Sequence, residues 1–324
     1  MELFGCNMGT FPIQYSGIPI YYWKLSNNDW LRIQERFEKC LGSWKGKNLS
    51  TGGRLTLINS VLSSLPMYMM SFFEIPKGVR KKLDYFRSRF FWQSDEHKRK
   101  YRLAKWDILC QLKEQGGLGI YNLELKNIAL LSKWLYQLLT TEGTWQHIIK
   151  NKYLGGKSIV QAQWKSDDSH FWASLMKVKN DFLKFGSFII KDGSQIRFWE
   201  DVWLGNTTLR EQYPQLYNIA RKKQDTIADI LNTPIPNISW RRDLIGNMLV
   251  MWNNFVSRLA NVELRQEEED EFRWKLDQSG VFSVKSHYLG LINQNTPNLN
   301  KDLWKMKIPL KINIFLWYLR RELF

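Results

Sequence analysis

The stretch Lys77-Gly78-Val79-Arg80-Lys81-Lys82-Leu83-Asp84-Tyr85-Phe86-Arg87-Ser88-Arg89-Phe90-Phe91-Trp92 sets both the fold class and the question of function. Val79, Leu83, Phe86, Phe90 and Phe91 recur at steps of three and four, which stacks side chains on one helix face. Most of the residues between them are basic. The spacing predicts an amphipathic helix over about 77–93, apolar inward and basic outward. Lys98, Arg99, Lys100 and Arg102 extend the positive run. Residues 77–102 therefore hold ten basic residues: Lys77, Arg80, Lys81, Lys82, Arg87, Arg89, Lys98, Arg99, Lys100 and Arg102. Asp84, Asp95 and Glu96 oppose them. Such a cluster can neutralise several phosphates and bind nucleic acid without regard to sequence. An ordinary solvated helix face has the same composition, and the sequence leaves both readings open. The interleaved Tyr85, Phe86, Phe90, Phe91 and Trp92 read most simply as a buried face, with base stacking as the lesser alternative.

Upstream, residues 1–23 read as an extended segment or hairpin broken by Gly17 and Pro19. Asn27 or Asn28 is the expected cap of a helix from about Asp29 to Trp44, with Ile33, Phe37 and Leu41 inward. A second helix is expected over about 52–64, ended by Pro66. Lys45, Lys47 and Arg54, beside Gly52-Gly53, are a second candidate phosphate site, because a helix N-terminus presents free amides. The plain alternative is a tight turn.

Downstream, Gly116, Gly117 and Gly119 punctuate a turn before a long apolar helix, about 122–140, and another follows over about 144–152. Asp167 or Asp168 starts a helix to about Phe185. Phe188–Ile190 and Gln195–Phe198 read as a hairpin turning at Asp192-Gly193. Pro234 and Pro236 mark a linker before a helix over 240–260. A second hairpin is expected within Phe272–Ser283, then helices at 284–292 and 311–319. The pattern predicts an α+β fold, predominantly α-helical, with a helical bundle followed by an α+β domain carrying short β-hairpins. Texture divides the chain at 1–23, 24–155, 156–236 and 237–324.

Composition excludes several classes. The chain has 324 residues, 47 Lys+Arg against 31 Asp+Glu, a net charge of +16, and 16 tryptophans within 15% aromatics. That aromatic content argues against disorder. Cys6, Cys40 and Cys110 are scattered, as in a reducing, intracellular compartment. No apolar run approaches the roughly 20 residues of a membrane span, so no membrane partner is expected. The first residues lack the basic and apolar regions of a secretory signal.

Catalytic groups are sparse. His97, His147, His170 and His287 have no helical partner or nearby cysteine at metal-ligand spacing. No phosphate-cradling glycine loop and no nucleophile elbow occur. The adjacent Asp167-Asp168 could in principle hold two metal ions, but its polar context reads as a helix start.

Three groups of motifs carry a resemblance. They are Tyr15-Ser16-Gly17-Ile18-Pro19-Ile20; Ser43-Trp44-Lys45-Gly46-Lys47 with Gly52-Gly53-Arg54-Leu55 and Gln115-Gly116-Gly117-Leu118-Gly119; and Arg197-Phe198-Trp199-Glu200-Asp201-Val202-Trp203, Gly280-Val281-Phe282-Ser283, and Trp304-Lys305 through Trp317. Together they resemble the reverse transcriptase of plant non-LTR (LINE-type) retroelements, in the thumb and connector beyond the palm, running into the reverse transcriptase zinc-binding domain. The resemblance implies a palm remnant at 1–23, a thumb-like bundle, a connector, and a truncated zinc-binding-like domain. It implies backbone contacts to a template–primer duplex and a nuclear location. The family's palm carboxylates and zinc ligands are absent, so no catalysis and no cofactor are expected, whereas the intact enzyme would use Mg and zinc. The alternatives are a host-recruited basic interaction module and a non-functional relic. Apolar surface near 311–319 implies self-association.

Overall fold

The computed structural model describes residues 11, 13–20, 25–44, 48–92, 101–155, 159–233, 235–259, 262, 264, 265, 268–293 and 301–321. In chain order the helices are α1 Leu31–Ser43, α2 Thr51–Leu57, α3 Met67–Met70, α4 Lys77–Trp92, α5 Trp106–Leu109, α6 Leu123–Thr140, α7 Thr144–Ile149 and α8 His170–Leu183. They continue with α9 Leu209–Gln212, α10 Pro214–Ile219, α11 Ile227–Leu231, α12 Asn247–Leu259, α13 Val284–Ile292, α14 Lys301–Lys305 and α15 Leu310–Arg320. The strands are β1 Ile13–Tyr15, β2 Ile18–Ile20, β3 Gly186–Ile189 and β4 Glu271–Trp274. β1 and β2 form an antiparallel hairpin turning at Ser16 and Gly17. The fold is α+β and predominantly helical.

Two compact units emerge. The first comprises the described residues of Met1–Leu131, Asp167–Ser174 and Tyr288–Phe324. Its core gathers Trp30, Phe37, Ile58, Leu62, Met70, Leu83, Phe91, Leu118, Ile314 and Trp317, all essentially inaccessible. The turn Asn27–Trp30 that leads into α1 is capped not by Asn27 or Asn28 but by Ser26, whose hydroxyl accepts from Asn28 N while the Asp29 carboxylate accepts from Ser26 N at 2.6 Å. This reciprocal box satisfies donors that the helix leaves open. Asn127 of α6 holds the bend ahead of α4. It accepts from Ile75 N at 2.8 Å and donates to the Met70 and Phe73 carbonyls at 2.7 and 2.9 Å.

Gly52 allows α2 to pack on α15: a Cβ there would lie 3.1 Å from Lys311 N and 3.2 Å from Leu310 Cβ. Gly53, one residue on, meets only Ser50 and Leu49 side chains at 3.6 Å or more. The amphipathic α15 turns Asn313, Ile314 and Trp317 inward and leaves Ile312, Phe315 and Leu319 between 40% and 50% exposed. Trp317 Nε1 and the Arg321 guanidinium all donate to the Gly116 carbonyl, at 2.7–3.1 Å.

The second unit comprises the described residues of Ser132–Ser166 and Leu175–His287. Here β3 pairs with β4, antiparallel, Phe188 opposite Phe272. It does not pair with Gln195–Phe198. Asp270 takes over the turn: its carboxylate accepts from Lys191 N, Gly193 N and Gln195 N at 2.8, 2.9 and 3.0 Å. Those amides are therefore committed to a side chain rather than to a ladder. The second expected hairpin forms no strand pair among the described residues; Trp274 N donates to Gly280 O at 2.9 Å and Gly280 N turns back to Asp277 O at 3.1 Å.

Arg197 is nearly buried and bound to Asp201 and Glu200 of its own loop. Trp199 and Trp203 lie inside, with Trp203 Nε1 donating to Phe198 O at 2.7 Å. Both rings fill the core, and of the two only Trp203 has an acceptor for its N–H. His287 is inaccessible, ringed by Phe182, Phe185, Trp274 and Phe282 at centroid distances of 5.2–6.5 Å.

Gly52→Val is expected to cost about 1–3 kcal/mol through overpacking against α15. Gly53→Ala, in a helical position with room, is expected to gain about 0.5–1 kcal/mol. Urea midpoints of the two variants moving in the same direction would contradict the close approach. Burial pushes the His287 imidazole down to about 4, from about 6.5 in an unfolded chain. Between those pH values the unfolded chain binds a proton that the folded chain refuses. Its contribution to stability is therefore full above 6.5 and is lost as pH falls toward 4. In urea titrations across that window, His287→Leu should flatten the decline.

Candidate nucleic-acid interface

α4 divides its side chains into three stripes. Val79, Leu83, Phe90 and Phe91 are buried in the first-unit core, where Phe86 packs near Phe37 with ring centroids 6.3 Å apart. A flanking stripe, Arg80, Asp84 and Arg87, is consumed in ion pairs. Arg80 pairs with Glu124 at the start of α6. Arg87 has no exposed surface; it pairs with Asp84 and donates to Ser63 Oγ and the Tyr121 carbonyl, both at 2.9 Å. Trp106 completes this set, donating Nε1–H to Asp84 at 3.2 Å and lying 5.4 Å from the Arg87 guanidinium carbon. The third stripe faces solvent. It carries Lys77, Lys81, Lys82 and Tyr85, and Arg102 reaches back to lie 5.9 Å over the Tyr85 ring. The Lys82 ammonium lies 5.8 Å from the centroid of the Phe86 ring.

The structure therefore divides the sequence candidates. Lys77, Lys81, Lys82 and Arg102 share exposed surface, Arg80 is half-buried on the flank, and Arg89 is half-buried with interactions of its own. Arg87 is removed from the interface. Position 87 follows Leu83 by one helical turn, so the period that buries Leu83 also buries Arg87. Arg54 is removed too. It is 8% exposed, and burial lowers its proton affinity, opposed by the neighbouring Tyr318. Gly52-Gly53 forms the first turn of α2, where Ser50 Oγ accepts from Gly53 N at 3.2 Å. That helix has seven residues and packs its glycine on α15, so it is no phosphate cradle. Lys45, Lys47, Lys98, Arg99 and Lys100 lie outside the described residues.

Sequence reasoning placed Tyr85 in the buried face, yet it is 49% exposed. The signal was present: Tyr85 follows Lys81 by four and Lys77 by eight, on the polar side of the helix. α1, packed beside α4, adds exposed Arg32, Arg36 and Lys39, offset by exposed Glu35 and Glu38.

Several described titratable groups elsewhere are tied into the fold. His170 accepts from Leu25 N at 3.2 Å and stacks on Phe73. His147 shares a hydrogen bond with Asn151 at 2.9 Å. Burial pushes the Cys110 thiol up to about 12. Lys179 is pushed down to about 8 by burial and donates to the Val160 and Ala162 carbonyls. Asp167 and Asp168 lie in the turn before α8. Among the described residues no group of three or more His, Cys, Asp or Glu side chains could hold a metal ion. None of the described helices is long and apolar enough to cross a membrane. A cleft of about 520 Å³ in the second unit runs between the end of α6 and β4, lined by Tyr136, Thr140, Asp270 and Arg273.

The "Uncharacterized mitochondrial protein AtMg00310" of Arabidopsis thaliana is 31% identical over 147 residues, which span 45% of this chain and 96% of that protein. The chain belongs to the AtMg00310 family. The "Putative ribonuclease H protein At1g65750", also of Arabidopsis thaliana, is 31% identical over 310 residues, 93% of this chain and 49% of that protein. The chain thus spans about half the length of that second relative. No family model matches the chain. These findings correct the resemblance to a LINE-type reverse transcriptase and its zinc-binding domain. Neither relative is named as a reverse transcriptase, and no zinc-binding domain is matched.

Arg87→Ala should cost about 3–5 kcal/mol, since it strips a buried ion pair and strands the partners of the guanidinium. Affinity for nucleic acid, measured per folded molecule by anisotropy below the melting range, should stay within about twofold, because the side chain is inside. A larger loss of affinity without a loss of Tm would place Arg87 on the binding surface.

Proposed function

We propose that this chain is a non-catalytic module that binds nucleic acid through its backbone, without regard to sequence. The observation that carries this reading is the disposition of charge on α4. Arg87 draws Asp84, the acidic residue of the helix, onto the flank, so the outer stripe presents Lys77, Lys81 and Lys82 with Arg102 and no carboxylate of its own. Point charges on flexible stems suit phosphates, which position a ligand without specifying a sequence. The name of the ribonuclease H relative, a word for RNA chemistry, is compatible with a nucleic-acid partner. A non-catalytic role is supported by His170, His147 and the buried Lys179, each of which is held by a partner within the fold. The compartment proposed is the nucleus; the AtMg00310 relative is named as a mitochondrial protein, and that compartment would offer nucleic acid as well.

Replacing Lys77, Lys81, Lys82 and Arg102 together with Ala tests the reading. Each phosphate contact contributes about −0.9 to the slope of log affinity against log salt on duplex DNA. Loss of four cations should therefore weaken binding equally for unrelated sequences and flatten the slope by about two to four. Tm should barely move, because exposed charges contribute little. Unchanged affinity and slope in the quadruple variant would make this stripe an ordinary solvated surface.

A further inference from the structure

We infer that the outer stripe of α4 also carries a stacking site for unpaired bases, built from Tyr85, Tyr101 and Arg102, and that its ligand is single-stranded nucleic acid. This rests on the nucleic-acid reading above and names the strand form. Tyr85 stands among the exposed lysines with 49% of its surface open, and Tyr101 is 93% open. A ring that exposed contributes little to folding and leaves π surface open to solvent. Arg102 lies over the Tyr85 ring at 5.9 Å, and Tyr101 is the residue before it in the chain, which anchors the backbone of Tyr101 beside the stripe. A guanidinium plane and a phenol ring are both surfaces on which a base stacks.

Cations beside open rings fit a strand whose bases are unpaired. The backbone runs along Lys77, Lys81 and Lys82 while bases settle on the rings and the guanidinium. A duplex presents phosphates and base edges, and its π faces are already stacked, so it gains the charges alone. The site therefore favours single strands by the value of the stacking. Alanine substitution at such platforms costs about 1–3 kcal/mol per base, roughly a five- to hundredfold change in affinity.

The test uses the full chain, a 2-aminopurine-labelled single-stranded 12-mer, and a hairpin duplex of the same sequence. Anisotropy reads affinity, and 2-aminopurine quenching reads stacking. The parent should bind the single strand more tightly and quench the probe. Tyr85→Ala with Tyr101→Ala should lose at least fivefold on the single strand and abolish quenching. The same pair should change duplex affinity less than twofold. Tyr85→Phe with Tyr101→Phe, which keeps both rings, should restore both signals. Equal single-strand affinity and quenching in the alanine pair, or a parent that prefers duplex, overturns the inference and leaves the charged-stripe reading standing. A parent that binds neither form overturns both.

Discussion

A guanidinium with no access to water organises the helix that defines this protein. Taking an arginine out of water costs several kcal/mol unless its donors are met. Arg87 meets most of this demand, through its two terminal nitrogens, with groups from separate segments: Asp84 in its own helix, Ser63 after α2 and the Tyr121 carbonyl ahead of α6, with the Trp106 ring of α5 beside the guanidinium; its Nε has no acceptor. Those segments must converge for the charge to be tolerated, which fixes the rotation of α4. That rotation decides which cations reach solvent. A small turn of the helix would bring Arg87 and Asp84 outward, and the outer stripe would lose its single sign.

The motifs that carried the resemblance prove to be packing devices. Gly52 lets two helices approach to backbone contact, the Gly116 carbonyl collects three donors, and the Arg197-to-Trp203 loop closes on its own buried ion pairs. Each has a mechanical reason that does not involve polymerisation. Signals of this kind report how a backbone is held together, and a backbone can be shared by proteins with different activities.

Helix existence was legible because it rests on local periodicity: α1, α4, α6, α13 and α15 fall where the spacing puts them. Strand pairing was not. The mate of β3 lies some 85 residues on, and Asp270, a residue with no local signature, determines which amides are left for it. The candidate interface was half legible. Counting charges found the right helix, but a count ignores direction. Arg87 and Arg54 point inward and Tyr85 outward, and helical phase within 77–92 could have separated Arg87 from Tyr85. The burial of Arg54 depends on α15, more than 250 residues away, and no local pattern encodes it.

The Gly116 carbonyl has a consequence for how the chain is made. Its donors come from Trp317 and Arg321, 201 and 205 residues later. At roughly 5–20 residues per second, the ribosome separates acceptor from donors by roughly 10–40 s. Through that interval the segments destined for the first unit lack Ile314 and Trp317, and apolar side chains that α15 will cover remain open to any partner. The second unit has all its residues in hand by His287 and can close earlier. The order of emergence from the ribosome therefore makes the first unit the later to finish, although its sequence begins first.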